Sequence, residues 1–322
     1  MADERFLVTG ALGCIGAWVV RNLVREGVPV TIFDPGGSLH RLRLIMSDDE
    51  LNALPIIGSD ISDLAAVESA VKDSGATRII HLAGLQVPMC KADPALGARV
   101  NVVGTVNVFE AAKRAGINHV VYASSIAVYG LSEDYPEGAL AHDAALKPRT
   151  HYGVYKQANE GTARIYWLDE GISSIGLRPY IVYGPGRDQG LTSAPTKAML
   201  AAASGEPYHI AYGGRSMYQY ADDTARIFIR AARAAAQNAE AYNLRGSVVR
   251  MSDIVAAIER AVPGIAGQIT FDDKQLPFPE EMEDKTLMSL LGDLAYTSLD
   301  EGVAETIRIF QHAIAAGHLR VN

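Results

Sequence analysis

Short apolar runs rich in Val and Ile alternate with longer segments of helical periodicity through the first half of the chain. That is the rhythm of repeated strand–helix units and hence of a parallel sheet. The runs predict strands over residues 6–9, 29–33, 54–57, 78–82, 120–124 and 174–177, with helices near 15–26, 63–74, 95–115 and 152–170. Because the strand runs are continuous rather than alternating, both faces of the sheet should be covered by helices.

After Arg178 the texture changes. Gly184, Pro185, Gly186, Gly190, Pro195, Gly205, Pro207, Gly213 and Gly214 break the chain into turns and short pieces, which predicts a second, smaller lobe. A strand-like stretch at 242–244 and a helical pattern at 254–258 are expected to return the chain to the main sheet. The Ala-rich run at 231–236 reads as a packing helix, and no internal repeat or low-complexity tract stands out.

The first predicted strand leads directly into Gly10-Ala11-Leu12-Gly13-Cys14-Ile15-Gly16, a loop that opens a helix. A glycine triplet alone is weak evidence, since any glycine-rich turn contains one. Here it follows a strand, starts a helix and is answered by Asp34 at the end of the second strand. Backbone without side chains lets a pyrophosphate reach the helix N-terminus, where free N–H groups and the macrodipole favour negative charge. An acidic residue at Asp34 accepts hydrogen bonds from ribose hydroxyls and repels a 2′-phosphate, so NAD is expected over NADP; Arg41 and Arg43, downstream, would soften that preference. The expected fold is therefore α/β, a Rossmann-type doubly wound parallel sheet with a smaller C-terminal substrate-binding lobe. Residues 1–178, rejoined by about 220–260, would form the NAD-binding domain, and 179–219 with 261–322 the lobe.

Composition narrows the partners. The chain of 322 residues is 48% hydrophobic and 20% charged, enough for a sizeable core, and its net charge of −8 gives no reason to expect nucleic acid. Cys14 and Cys90 are too few for a disulfide framework and sit in no metal-ligand spacing, so both are expected reduced and no metal is expected. The segment Met1 to Arg5 lacks the basic start of a signal peptide, and no apolar stretch approaches the roughly 20 residues a membrane helix needs, so a cytoplasmic protein with no membrane partner is expected.

Tyr152-Gly153-Val154-Tyr155-Lys156 places a phenol and an ammonium four residues apart, on one face of a helix in successive turns. A nearby cation lowers a tyrosine pKa, so such a phenol can exchange a proton with a substrate alcohol or carbonyl while hydride passes to or from a nicotinamide. In isolation the pair would read as an exposed tyrosine and lysine on a surface helix. Together with the glycine loop and Ser124-Ser125-Ile126-Ala127-Val128-Tyr129-Gly130, however, it resembles the extended short-chain dehydrogenase/reductases (the NAD-dependent epimerase/dehydratase family) from about Phe6 to Asp223.

The resemblance implies a catalytic set of Ser125, Tyr152 and Lys156, with Ser124 taking the serine role if the assignment slips by one. It implies that Asp60 and Ile61 flank the adenine, that Leu82, Ala83 and Gly84 after His81 run along the diphosphate, and that Tyr180 and Val182 pass beside the nicotinamide, whose ribose Lys156 also bonds. Asn101, with Gly104 and Thr105, would be cofactor-proximal or a polar core residue.

Departures from the family pattern choose the branch. Sugar 4,6-dehydratases carry an acid directly after the catalytic serine or threonine, where this chain has Ile126. Nucleotide-sugar epimerases carry an Asn where this chain has Ile181, and an Arg in the segment that here reads Ser216-Met217-Tyr218, although Arg215 lies one residue away. Losing two such contacts should weaken a diphosphate ligand by roughly 1.5–3 kcal/mol for each bond to a charged group.

A smaller, nucleotide-free substrate is thus expected, and Lys147 to Gly153 and the serine motif are similar to those of threonine and uronate dehydrogenases. Its contacts would be Ser125, Ile126, Gln86, Tyr152, Ile181, Arg187 and Tyr218. Arg187 would grip an anionic or hydroxyl-rich group, unless it forms a surface salt bridge with Asp188. Tyr208, Tyr212 and Tyr220 would line the pocket or fill the lobe core, and His142 and His151 are read as structural. The expected activity is NAD-dependent oxidation or reduction of a secondary alcohol or carbonyl of a sugar, sugar acid or similar polyol. The alternatives are a redox-neutral nucleotide-sugar 4-epimerase and a non-enzymatic dinucleotide sensor. A homodimer through the helices at 95–115 and 152–170 is expected.

Overall fold

The six apolar runs and the stretch near 242–244 become seven parallel strands: β1 (Phe6–Thr9), β2 (Val30–Asp34), β3 (Ile56–Gly58), β4 (Arg78–His81), β5 (His119–Ala123), β6 (Ser173–Arg178) and β7 (Ala239–Asn243). They lie in the order β3-β2-β1-β4-β5-β6-β7, every neighbouring pair parallel. This computed structural model describes residues 4–319; residues 1–3, part of the N-terminal segment read above for a leader, and 320–322 lie outside the described residues.

The strand period of two sorts the apolar residues into two cores. Val8, Ile32, Ile80 and Val121 face one side, against Trp18 and Leu23 of α1 (Cys14–Arg25). Leu7, Phe33, Ile79 and Val120 face the other, against Val67 and Val71 of α2 (Leu64–Ser74) and Phe109 of α3 (Gly104–Ala115). The fold is a doubly wound, Rossmann-type α/β sheet with a smaller C-terminal lobe. Because strand order reverses between β1 and β4, a crevice opens at their carboxyl ends.

His81 ends β4 inside this sheet, 2% exposed, with Nδ1 2.7 Å from Thr9 Oγ1 and Nε2 3.0 Å from Thr105 Oγ1. Burial, reinforced by the Lys156 charge, pushes its pKa down from 6.5 to about 3. The unfolded chain takes up this proton first, so the stability of the neutral form is complete above pH 6.5. It is lost as pH falls toward 3, at about 1.4 kcal/mol per pH unit. In an NMR titration the His81 ring protons are expected to stay at their neutral shifts down to pH 4.5; a midpoint near 6.5 would contradict the burial argument.

The helix expected over 95–115 is three pieces, Pro94–Ala98, a π-turn at Arg99–Val103 and α3, preceded by an unexpected helix at Val87–Ala92. Asp93 starts the first of the three pieces by accepting a hydrogen bond from Leu96 N. The long helix α4 (His151–Glu170) starts one residue before its expected position. Of the Ala-rich run expected as a helix over 231–236, only 231–233 is helical, as the end of α5 (Ala221–Arg233), which packs along α1.

The stretch at 242–244 returns to the main sheet as part of β7. The helix that follows, Met251–Ala261, does not; it packs against Ala194–Ser204 and Leu299–Ala315 in the lobe. A three-stranded sheet, Ile181–Tyr183 with Arg215–Tyr220 and Ser247–Arg250, centres the lobe beside the crevice. Among the described residues no helix is long and apolar enough to cross a membrane.

Candidate active site

The crevice is a cleft of about 510 Å³. One end is built on glycines because backbone meets backbone there. Gly10 turns with φ +67°, and a Cβ on it would stand 2.5 Å from Ala83 N; one on Gly16 would stand 2.5 Å from Gly10 O. Gly13 is the N-cap of α1 and provides no side-chain cap, so the helix's first N–H groups are left to other partners. Gly10, Gly13, Cys14, Ile15 and Gly16 line the cleft together with Asp34, Asp60, Ile61, Leu82, Ala83 and Gly84. A bare helix N-terminus for a diphosphate and a carboxylate at the second strand's end for a ribose fit a dinucleotide.

Asp34 accepts a hydrogen bond from Leu12 N at 3.1 Å, and burial raises its carboxyl above the ordinary value. The Arg41 charge offsets that rise only in part. Its guanidinium is held by Asp188 at 2.8 and 3.0 Å and by Leu12 O at 2.9 Å. Replacing Asp34→Ala is therefore expected to raise the NADP/NAD ratio of kcat/KM at least tenfold, chiefly by weakening NAD; an unchanged ratio would remove Asp34 from ribose selection.

The other end belongs to α4. Thr150 caps it, its Oγ1 accepting from Gly153 N at 3.0 Å, and Gly153 has no room for a side chain because a Cβ would fall 2.1 Å from Ala127 O. This close approach sets Tyr152 and Lys156 beside Ser125 and Ile126 on the cleft wall. Lys156 Nζ lies 5.7 Å from the Tyr152 ring centre and donates to Ala123 O at 2.7 Å. Ser125 begins the short turn Ile126–Val128, accepting from Ala127 N at 3.1 Å, and its hydroxyl also bonds Tyr152. Ser124 is the less available of the two serines. It is 2% exposed and donates to Glu160 Oε1 at 2.5 Å.

Burial dominates both titrating groups. It lowers Lys156 from 10.5 to about 8, with Cys90 and Glu160 opposing. It raises Tyr152 above 10, offset in part by the Ser125 hydrogen bond and the charge of Arg187. The sequence reading that Lys156 depresses the tyrosine is thereby corrected: the net shift is upward, and the opposing charge comes from Arg187.

Of the expected substrate contacts, Gln86, Ser125, Ile126, Tyr152 and Arg187 line the cleft, as do Tyr180 and Val182 on the cofactor side. Ile181 and Tyr218 do not. They are register partners in the lobe sheet, and strand alternation turns both into its core, 0% and 1% exposed, while Val182 faces the cleft. Asn101 also lies behind the wall as a buried polar brace, donating to Gly97 O at 3.0 Å and Leu85 O at 3.3 Å.

Tyr220 packs edge-on against Trp18. His142 stacks on Tyr242 and His151 on Tyr155, in keeping with structural roles. Leu191, Thr192 and Phe278 line the cleft without any signal in the sequence, because lobe loops deliver them.

The family model described as "NAD dependent epimerase/dehydratase family" matches residues 6–244. A UDP-glucose 4-epimerase of Mycolicibacterium smegmatis is 29% identical over 321 residues, 96% of this chain and 99% of that protein. Among solved structures, the UDP-glucose 4-epimerase of Thermus thermophilus in complex with NAD superposes with a TM-score of 0.80 at 25% identity, covering 96% of this chain and 100% of that one. An L-threonine dehydrogenase of Cupriavidus necator gives 0.82 at 24%, covering 95% and 99%, a likeness of fold. The chain is thus an enzyme of the extended short-chain dehydrogenase/reductase kind, with NAD as its cofactor, and belongs to the NAD-dependent epimerase/dehydratase family.

Proposed function

We propose that this protein is a net NAD-dependent dehydrogenase/reductase acting on a secondary alcohol or carbonyl of a small polyhydroxylated substrate. The observation that carries the reading is what stands where nucleotide-sugar epimerases anchor a diphosphate: the Ile181 and Ser216 side chains are buried in the lobe, both 0% exposed, and neither lines the cleft.

In this reading Tyr152 takes the proton of the substrate hydroxyl, and Ser125 donates a hydrogen bond that holds the reacting oxygen beside the phenol. Arg187 supplies the positive charge that favours the phenolate, and Lys156, held by Ala123 O beside the phenol, would bond the nicotinamide ribose. Bound NAD supplies the hydride acceptor. The cofactor contacts are assigned to residues 1–178, with 220–260 returning in part, and the substrate wall to 179–219 and 261–322.

A second reading, a redox-neutral nucleotide-sugar 4-epimerase, is favoured by the similarity to UDP-glucose 4-epimerase over nearly the whole of both chains. The two separate in one assay: NADH absorbance with NAD and a panel of free sugars, sugar acids, hydroxy amino acids and nucleotide sugars, with chromatography of products. Sustained NADH from a nucleotide-free compound supports the dehydrogenase. Conversion of a nucleotide sugar to its epimer without NADH establishes the epimerase instead.

The same reading includes a cytoplasmic homodimer. Cys14 and Cys90 are unpaired, as suits a reducing compartment. Met89, Leu96 and Val103 on the helices before α3, with Val154, Ile165 and Leu168 on α4, leave large apolar side chains exposed. Light scattering of the purified protein is expected to give twice the chain mass; a monomeric mass would refute the dimer.

A further inference from the structure

Arg187 follows a turn in which Gly184 and Gly186 both have positive φ, and its backbone N–H closes that turn onto Gly184 O at 3.0 Å. The turn delivers the guanidinium to the cleft wall. Its sequence neighbour Asp188 is occupied elsewhere, by Arg41 and by His40 Nε2 at 2.7 Å. Among the described residues the Arg187 guanidinium makes one weak bond, Nη2 to Thr192 Oγ1 at 3.3 Å, and Nε is buried with no partner. No carboxylate pairs with Arg187 among the described residues.

A guanidinium with a buried, unused donor is unfavourable until an anion meets it, and its planar fork fits a carboxylate with two parallel bonds. The position is specific. Its charge is felt at Tyr152, the group assigned to proton transfer, and at Cys14, beside the glycine loop. Gln86 comes close to the same point: a Cβ on Gly190 would stand 2.4 Å from Gln86 Oε1 and 3.1 Å from Arg187 Nη2. An acceptor amide oxygen and a cationic fork side by side suit a group that carries both a hydroxyl and a carboxylate.

We propose, resting on the dehydrogenase reading above, that the substrate is a small hydroxy acid whose carboxylate is gripped by Arg187, with a neighbouring hydroxyl donating to Gln86. The reacting carbon then loses its hydride to the nicotinamide and its hydroxyl proton to Tyr152, giving the keto acid, NADH and one proton. The other anion that a guanidinium felt at Cys14, beside the glycine loop, would serve is a bound cofactor's diphosphate.

Calorimetry on the NADH-bound protein, with aldonates of three to six carbons against the matching alditols, separates these possibilities. At least one aldonate is expected to bind tenfold or more tightly than its alditol. Arg187→Gln is expected to erase that ratio while leaving the Kd for NAD unchanged, and Arg187→Lys to keep part of it. Circular dichroism of both variants excludes loss of fold. Alditols binding as well as aldonates, or no binding of either series, would overturn the proposal. So would an Arg187→Gln protein that loses affinity for NAD but keeps the aldonate preference, since the guanidinium would then serve the diphosphate. An aldonate preference that depends on Arg187, with no NADH formed from any hydroxy acid, would uphold the carboxylate site and refute the net dehydrogenase.

Discussion

Replacing Tyr152→Phe is expected to lower kcat by about 10²–10⁴-fold while NAD affinity stays within a factor of two, because only the proton-transferring oxygen is lost and the ring keeps its packing. That loss corresponds to roughly 3–5 kcal/mol of transition-state stabilisation. The pH profile sharpens the test. With burial holding the phenol above its ordinary value, the ionised form is the minor species near neutrality, so kcat/KM for alcohol oxidation should rise with pH. Lys156, held at about 8, loses its charge as pH passes that value, and the rise should break there. The substitution should flatten the rising limb as well as lower the rate. Undiminished turnover, or an unchanged profile, would take Tyr152 out of proton transfer.

The strands that carry the site were legible because their apolar residues are consecutive, and the cofactor end because Gly10, Gly13, Gly16 and Asp34 obey local rules of turn, helix start and strand end. Tyr152 and Lys156 were legible from a four-residue spacing that helix geometry fixes. What local spacing could not show was which neighbour a side chain finds. Asp188 stands next to Arg187 as its alternative partner in the sequence, yet its partner Arg41 lies 147 positions away in the chain.

Ile181 and Tyr218 were placed in the pocket, but strand parity in the lobe turns them to its core, and a one-residue step reverses a side chain's face. Ser124 and Ser125 differ by the same single step. The helix Val87–Ala92 was hidden because Pro88 reads as a breaker, although a proline in the first turn is compatible with a helix. Thr192 and Phe278 come from turn-rich segments whose course only the packed lobe determines.

The largest effect on stability is expected from a pair outside the cleft. Arg178 ends β6, and its side chain, 5% exposed, meets Glu160 of α4, 11% exposed, through Nε at 2.8 Å and Nη2 at 2.7 Å. Glu160 also receives Ser124 Oγ, while Arg178 Nη1 donates to Tyr129 OH at 2.6 Å, whose hydroxyl donates to Asn243 Oδ1 at 2.7 Å on β7. The network therefore ties α4 to the ends of β5, β6 and β7.

Removing one partner leaves the other charge buried and uncompensated. Arg178→Met is expected to destabilise by about 3–5 kcal/mol, a fall in Tm on the order of 10 °C. Arg178→Met with Glu160→Leu should recover much of that loss, because two apolar side chains in place of a buried pair are often close to neutral.

The same geometry separates stability from catalysis. Glu160 stands one helical turn beyond Lys156 and opposes the depression of its pKa, so Glu160→Gln should move the break in the pH profile below about 8. The double variant, even with its Tm restored, should keep that displaced break. Thermal unfolding and the pH profile of kcat/KM, measured on all three variants, decide it: additive losses of Tm would refute the coupling across the pair, and a break that stays at its original pH would refute any influence of Glu160 on the lysine.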